Sequence, residues 1–206
     1  MTAATHRKPV IGLVGGIGAG KSTVAEALAK HGGRVVAADP LGHKALEQPE
    51  ILARIADAWA GRDIFTPDGK VDRKKFGRIV FPSPVERSRL EHLVHPYIEA
   101  RIREEVEKAQ ADPKSKFVVL DAAVMLEAEW DGVCDHLIFV DAPREVRLAR
   151  VTAQRGWTAA DLDNREAVQI PAAKKKERAD AVVDNGGSPA ATTAQVNELV
   201  KGWKLV

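Results

Sequence analysis

The feature that most constrains this chain is a glycine-rich octapeptide near its start, Gly15–Ser22, which reads GGIGAGKS. It fits the pattern G-x-x-x-x-G-K-[S/T], in which backbone N–H groups surround phosphate oxygens. The apolar run before it, residues 9–14, predicts a buried strand, and the run after it, residues 23–30, predicts a helix. A strand, a glycine loop and a helix N-terminus in this order direct N–H groups at an anion.

The motif therefore predicts a nucleotide-binding site. Its residues are Gly16, Ile17, Gly18, Ala19, Gly20, Lys21, Ser22 and Thr23. The ammonium of Lys21 would neutralise the outer phosphates, and the hydroxyl of Ser22 would ligate the Mg²⁺ that accompanies ATP.

The rest of the chain alternates between strand and helix patterns, which predicts an α/β fold. We expect a doubly wound, mostly parallel sheet of five strands with helices on both faces. The further strands are predicted at residues 34–40, 117–121, 136–141 and 181–184. Residues 41–112 are almost entirely helical in pattern, which is too long for one crossover connection. The predicted domains are thus a nucleotide-binding core, 9–40 and 114–206, and a helical insertion, 41–113.

Two acidic residues follow predicted strands at the edge where ligands bind in open α/β sheets. Asp39 would share that edge with the glycine loop, although it could instead cap a helix that starts at Leu41. Asp121 ends the third strand, where it could bind Mg²⁺ through a water molecule or cap the next turn.

Composition narrows the class of partner. The net charge of +2 gives no basis for nucleic-acid binding, and no apolar run approaches the length of about 20 residues that a membrane span requires. A single cysteine, Cys134, suits a reducing compartment, so we expect a cytoplasmic protein with small-molecule partners. The pattern gives no indication of an oligomeric state.

Several segments together resemble the dephospho-coenzyme A kinase family. They are the glycine loop, Asp39, Asp72-Arg73, Leu93-Val94-His95-Pro96, Ala179-Asp180 and Val183-Asp184-Asn185-Gly186, in the family's order and spacing. The resemblance implies transfer of the γ-phosphoryl group of ATP to the ribose 3′-hydroxyl of dephospho-CoA, the last step of CoA synthesis. It also implies a P-loop kinase fold with a helical substrate-binding insertion and a helical lid, here about residues 156–178.

The resemblance assigns further roles. Asp39 is implied as the catalytic base, together with Lys21. Dephospho-CoA would contact Asp39, Arg73, His95 and Glu127; ATP would contact Arg150, Arg155, Asn185 and Gly186, the last two at adenine; Gln169 and Lys175 match lid positions. Arg147 lies on the same helix face as Arg150 but is not assigned to the site.

Two positions depart from the family pattern. Ala37 stands where the family usually has the first acid of Asp-x-Asp, and Ala123 stands where a proline usually follows the third strand. Two alternatives therefore remain open: another small-molecule P-loop kinase with a nucleotide or nucleoside acceptor, and a nucleotide-binding module without turnover.

Overall fold

A five-stranded sheet forms the centre of the computed structural model, which describes residues 7–206. The strands are β1 Val10–Gly15, β2 Gly33–Ala37, β3 Phe117–Asp121, β4 His136–Asp141 and β5 Ala181–Asp184. Their order across the sheet is β2-β3-β1-β4-β5, and each neighbouring pair is parallel. The predicted five-stranded parallel sheet of a P-loop kinase fold is therefore confirmed.

Helices fill most of the chain that connects these strands. They are α1 Lys21–Ala29, α2 Asp39–Ala45, α3 Pro49–Ala58, α4 Arg73–Val80, α5 Pro84–Ala111, α6 Arg144–Arg155, α7 Ala159–Glu166, α8 Ala172–Glu177 and α9 Pro189–Gly202. A short 3₁₀ helix covers Trp130–Val133. Within the described part of the chain, no helix is both long and apolar enough to cross a membrane.

The main core lies against the sheet. β1 and the first four residues of β3 are buried, as expected for central parallel strands that are covered on both faces. One apolar cluster joins these strands to α1 and α9 through, among others, Ile11, Leu28, Phe117, Val196 and Val200. This packing fixes the end of β1 and the start of α1, and so the loop that joins them.

The predicted end of the second strand is wrong. β2 stops at Ala37, and Asp39 is the first residue of α2 rather than the last residue of a strand. Pro40 occupies the second helical position, where its missing N–H leaves no hydrogen bond unmade. Ala38 is the N-cap and no side chain caps this helix, so Asp39 does not serve as a capping residue either.

The chain forms two compact units. One contains the sheet and comprises the residues up to Ala37 together with Glu105–Val206; the other, Ala38–Glu104, is helical. The helical unit has its own apolar interior, in which Trp59 and Phe76 pack edge to face with ring centroids 4.9 Å apart. The N-cap of α4 in this unit is Asp72, whose side chain accepts hydrogen bonds from the backbone N–H groups of Lys74 and Lys75.

Candidate functional site

The glycine-rich motif connects β1 to α1, as predicted. We call residues 15–22 the phosphate loop. Gly18 and Gly20 have φ angles of 76° and 87°, the left-handed region that suits glycine. Gly20 is the N-cap of α1, so Lys21 and Ser22 are its first two residues, and the exposed N-terminal turn of a helix suits an anion.

Acidic residues lie at the carboxyl ends of the strands beside this loop. Asp121 is the last residue of β3 and pairs in register with Leu13 of β1 and Ala37 of β2. Among residues 7–206, no group of three or more His, Cys, Asp and Glu side chains could hold a metal ion by themselves. Ser22 and Asp121 are the oxygen donors of this unit that the sequence predicts for Mg²⁺.

Two arginines of α6 contact the backbone of the phosphate loop. Arg147 donates to the carbonyl oxygen of Ile17 at 3.1 Å and to that of Ala142 at 3.2 Å. Arg150 donates to the carbonyl oxygens of Gly18 at 3.4 Å and Ala19 at 3.1 Å. The two side chains, three residues apart on one helix face, therefore hold successive peptide groups of the loop.

Asn185 approaches the same loop from the end of β5. Its side-chain amide donates to the carbonyl oxygen of Ala19 at 2.7 Å, and its own carbonyl accepts from Arg150 at 2.8 Å. The residue is 3% exposed. Gly186 follows it and donates its N–H to the Asp184 carboxylate at 2.7 Å. The predicted ATP-binding residues Arg150 and Asn185 thus meet at the phosphate loop.

A buried ion pair joins the lid to the segment after β3. The ammonium of Lys175, on α8, lies 2.7 Å from the carboxylate of Glu127, and their side chains are 3% and 18% exposed. The same carboxylate oxygen accepts the N–H of Ile170 at 3.0 Å, and Gln169 accepts from Lys175 at 3.3 Å. The second carboxylate oxygen of Glu127 is buried without a hydrogen-bond partner. Glu127, Gln169 and Lys175 are therefore brought together.

Arg155, the last residue of α6, lies apart from this cluster. Its guanidinium packs over the ring of Trp157 at 4.9 Å from the centroid, and Arg165 of α7 lies over the same ring at 4.1 Å. Stacking on an indole face stabilises a guanidinium without fixing it as firmly as a carboxylate does. Arg155 is exposed and sits where the lid begins.

In the helical unit, Arg73 contacts His43, which lies one turn after Asp39 on α2. Asp39 and His43 are one turn apart on α2, so they share a face of that helix. A nitrogen of Arg73, the first residue of α4, lies 2.5 Å from Nε2 of His43. Since a guanidinium only donates hydrogen bonds, Nε2 of His43 accepts this one.

His95 lies on α5 in the helical unit. It is half-buried, and burial lowers its pKa, while Glu91 opposes the shift and His92 adds to it. A neutral imidazole is therefore favoured at physiological pH. Pro96 follows it inside the helix, which continues to Ala111.

Comparison with known proteins assigns the chain to a family. A model of the dephospho-CoA kinase family matches residues 9–190. This chain belongs to the dephospho-CoA kinase family.

Relatives in this family match over nearly the full length. The dephospho-CoA kinase of Anaeromyxobacter dehalogenans is 39% identical over 194 residues, covering 93% of this chain and 90% of that protein. That of Bacillus licheniformis is 37% identical over 199 residues, covering 96% and 98%. A crystal structure of a Thermus thermophilus protein aligns with a TM-score of 0.80 and 31% identity over 96% of this chain and 98% of the other.

Reasoning from the sequence missed several partners of the dephospho-CoA kinase site residues. Arg147, which is not assigned to the site from the sequence, contacts the phosphate loop. Its position three residues before Arg150, on the same helix face, was the available signal for this contact. His43 was missed although it follows Asp39 at helical spacing. Thr192, whose hydroxyl donates to the Asn185 side chain at 2.9 Å, left no signal because the contact joins β5 to α9.

Proposed function

We propose that this chain transfers the γ-phosphoryl group of ATP to the ribose 3′-hydroxyl of dephospho-CoA, which gives coenzyme A. The observation that carries the proposal is the family match over residues 9–190, which spans both compact units. The phosphate loop at the β1–α1 junction supplies the nucleotide-binding geometry that this reaction needs.

ATP would bind in the sheet-containing unit. The N–H groups of residues 16–22 would surround the phosphates, and Lys21, at the positive end of α1, would neutralise charge that develops during transfer. Arg155 would reach the phosphates or the adenine when the lid closes. Gly186 would contact adenine through its backbone, and Thr23 would complete the first turn of the helix at the phosphates.

Dephospho-CoA would be bound with the help of the helical unit. Asp39 is the proposed general base, because a carboxylate within hydrogen-bond reach of the ribose hydroxyl can accept its proton as the phosphoryl group is transferred. Arg73 would pair with the diphosphate of the acceptor, since a guanidinium binds phosphate oxygens in two places. The neutral imidazole of His95 would donate a hydrogen bond to the acceptor or accept one from it. Glu127 would contact the acceptor, and its carboxylate also pairs with Lys175 of the lid.

Mg²⁺ is the proposed cofactor. Ser22 would hold it with the nucleotide phosphates, and Asp121 would hold one of its water ligands. When bound, the ion would neutralise phosphate charge and keep the phosphate chain in one conformation. We further propose that the enzyme acts in the cytoplasm on small molecules and not on nucleic acid, because its charge is nearly balanced and its single cysteine needs no oxidising compartment.

An acceptor panel tests the proposed function. The purified chain is incubated with ATP, Mg²⁺ and one acceptor at a time: dephospho-CoA, adenosine, AMP, CMP or shikimate. We expect ADP formation with dephospho-CoA and a product that carries the new phosphate at the ribose 3′ position. Preferential phosphorylation of a nucleoside or nucleotide would replace this proposal with the alternative kinase. Nucleotide binding with no acceptor-dependent turnover would identify a binding module.

A further inference from the structure

We propose that Arg147, Arg150 and Asn185 are positioning residues. They hold the phosphate loop in its phosphate-binding shape from the side of the loop that faces α6 and β5. The inference rests on the proposed function only in taking ATP or ADP as the ligand. The three side chains come from α6 and from the end of β5, and they contact the loop's carbonyl oxygens. We call them the outer donors.

The geometry of the peptide group connects these contacts to phosphate binding. In a planar trans peptide, the carbonyl of one residue and the N–H of the next point in opposite directions. The outer donors draw the carbonyl oxygens of Ile17, Gly18 and Ala19 toward α6 and β5. The N–H groups of Gly18 and Gly20 are thereby turned to the other side, where a phosphate would sit, whereas that of Ala19 donates to the Gly16 carbonyl at 3.2 Å and closes a turn of the loop. A loop held this way needs little reorganisation when the anion arrives.

Burial shows that Asn185 belongs to the protein interior rather than to an open ligand surface. Its N–H donates to the Asp141 carbonyl at 2.7 Å, and its side-chain oxygen accepts from Thr192 at 2.9 Å. Its other polar atoms contact Ala19 and Arg150. Because every polar group of this buried residue is paired, a change at Asn185 removes specific contacts to the loop.

The glycines of the motif fit the outer donors closely. A Cβ atom at Gly20 would lie 2.2 Å from the amide nitrogen of Asn185, and one at Gly16 would lie 3.0 Å from a guanidinium nitrogen of Arg147. A Cβ at Gly18 would lie 2.8 Å from the carbonyl oxygen of Arg147. At Gly18 and Gly20 the space on the outer side of the loop thus favours glycine, as do the positive φ angles of these two residues.

Binding of ADP tests the proposal without involving the acceptor. Asn185→Leu removes the donor to Ala19 with little change in volume. Thr192→Val is its matched control because it removes the hydroxyl contacts on the far side of Asn185 and leaves the donor to Ala19 in place. We expect calorimetry at a temperature where both variants are folded to show ADP affinity about tenfold weaker for Asn185→Leu. Affinity should stay within about twofold of wild type for Thr192→Val.

A second pair of variants, on α6, protects the test against misfolding of the first. Arg147→Met removes the donor to Ile17, whereas Glu166→Gln weakens the ion pair of Arg147 with α7 and keeps that donor. We expect ADP affinity to fall about fivefold in Arg147→Met and to stay near wild type in Glu166→Gln. The Michaelis constant for ATP should rise in parallel while that for the acceptor stays the same, a split that lower stability alone would not produce.

Wild-type ADP affinity in a folded donor variant would overturn the proposal, and so would equal losses in a donor variant and its control. These outcomes are separate from those of the acceptor panel. If the wild-type chain prefers another acceptor but the donor variants lose ADP affinity, the proposed function fails and the outer donors stand.

Discussion

Three of the four arginines of α6 differ in what they contact. Arg147 bonds the loop carbonyl of Ile17 and pairs with a carboxylate of α7. Arg150 divides its donors among three carbonyl oxygens, which suits the planar fork of a guanidinium. Arg155 packs on an indole ring at the start of the lid. One residue type thus contacts the carbonyl oxygens of the phosphate loop in the first two cases and an aromatic ring in the third.

Asp39 carries the sharpest prediction for a single residue. Asp39→Asn keeps the size of the side chain but removes the proton acceptor, so we expect kcat with dephospho-CoA to fall about 100-fold or more while ATP affinity is retained. Asp57→Asn, a change of another exposed acid in the helical unit, is the matched control and should leave kcat unchanged. Near-wild-type turnover of Asp39→Asn would remove this residue from the mechanism.

His95 makes the stability of the protein depend on pH. Burial lowers its pKa in the folded state below the unfolded value of about 6.5, so the unfolded chain binds the proton more readily. The contribution of His95 to stability is therefore complete above that value and is lost as the pH falls below it. Urea unfolding at pH 5.5 and 7.5 should show a smaller difference in unfolding free energy for His95→Gln than for wild type.

The neighbouring histidine provides the control for this measurement. His92 is exposed and donates its Nδ1–H to the Ser88 carbonyl oxygen, so His92→Gln should keep most of the wild-type pH dependence. An unchanged pH dependence in His95→Gln would show that other groups account for it.

At the scale of secondary structure, the lid differs from the rest of the fold in how it is held. α7 and α8 are short, and each has one buried residue, Leu162 and Lys175. Ion pairs attach the lid segment to its surroundings: Arg144–Asp163, Lys176–Asp141, Arg178–Asp131 and the buried Lys175–Glu127. Exposed pairs contribute little stability, so the Lys175–Glu127 pair is the main ion-pair anchor of α8, whereas the mostly buried Arg147–Glu166 pair holds α7.

Removing one partner of that anchor should loosen the lid. Lys175→Met leaves the Glu127 carboxylate buried without its cation, a change that costs about 3 kcal/mol in comparable sites. We expect amide hydrogen exchange in α8 to become about 100-fold faster, with little change in the strands. The matched control is Lys174→Met, because Lys174 is the adjacent lysine and its side chain is 66% exposed.

The double variant distinguishes an anchor from a simple packing contact. If the cost arises from an uncompensated charge, Glu127→Leu in the Lys175→Met background should restore part of the lost protection. Equal exchange rates in Lys174→Met and Lys175→Met would contradict the role of the buried pair.

At the scale of the whole molecule, the sheet order decides which segments meet. β1 lies between β3 and β4, so the phosphate loop follows the central strand. β4 lies beside β5, with Asp141 opposite Asp184 in register, and this pairing brings the residues that follow β5 toward the loop. Arg150 of α6 and Asn185 lie 35 positions apart in the chain. Both consequently donate to the same carbonyl oxygen of the loop, that of Ala19.

The sequence by itself determined the elements that local physics governs. Periodicity and apolar runs predicted β3, β4 and β5 at their observed bounds. The end of β2 was wrong because an acid and a proline after an apolar run suit the first turn of a helix as well as the end of a strand. The motif and the family resemblance also predicted the kinase family, which the comparisons confirm.

Only the tertiary structure decided which side chains serve the phosphate loop. Glycine, lysine and serine at fixed spacing define an anion site through the local backbone, so the sequence suffices for them. The contacts of Arg147 and Asn185 with that loop span 130 and 166 positions of the chain, and no local pattern encodes such distances. They exist because parallel strands β1, β4 and β5 end at one edge of the sheet, where packing brings α6 and the end of β5 to the loop.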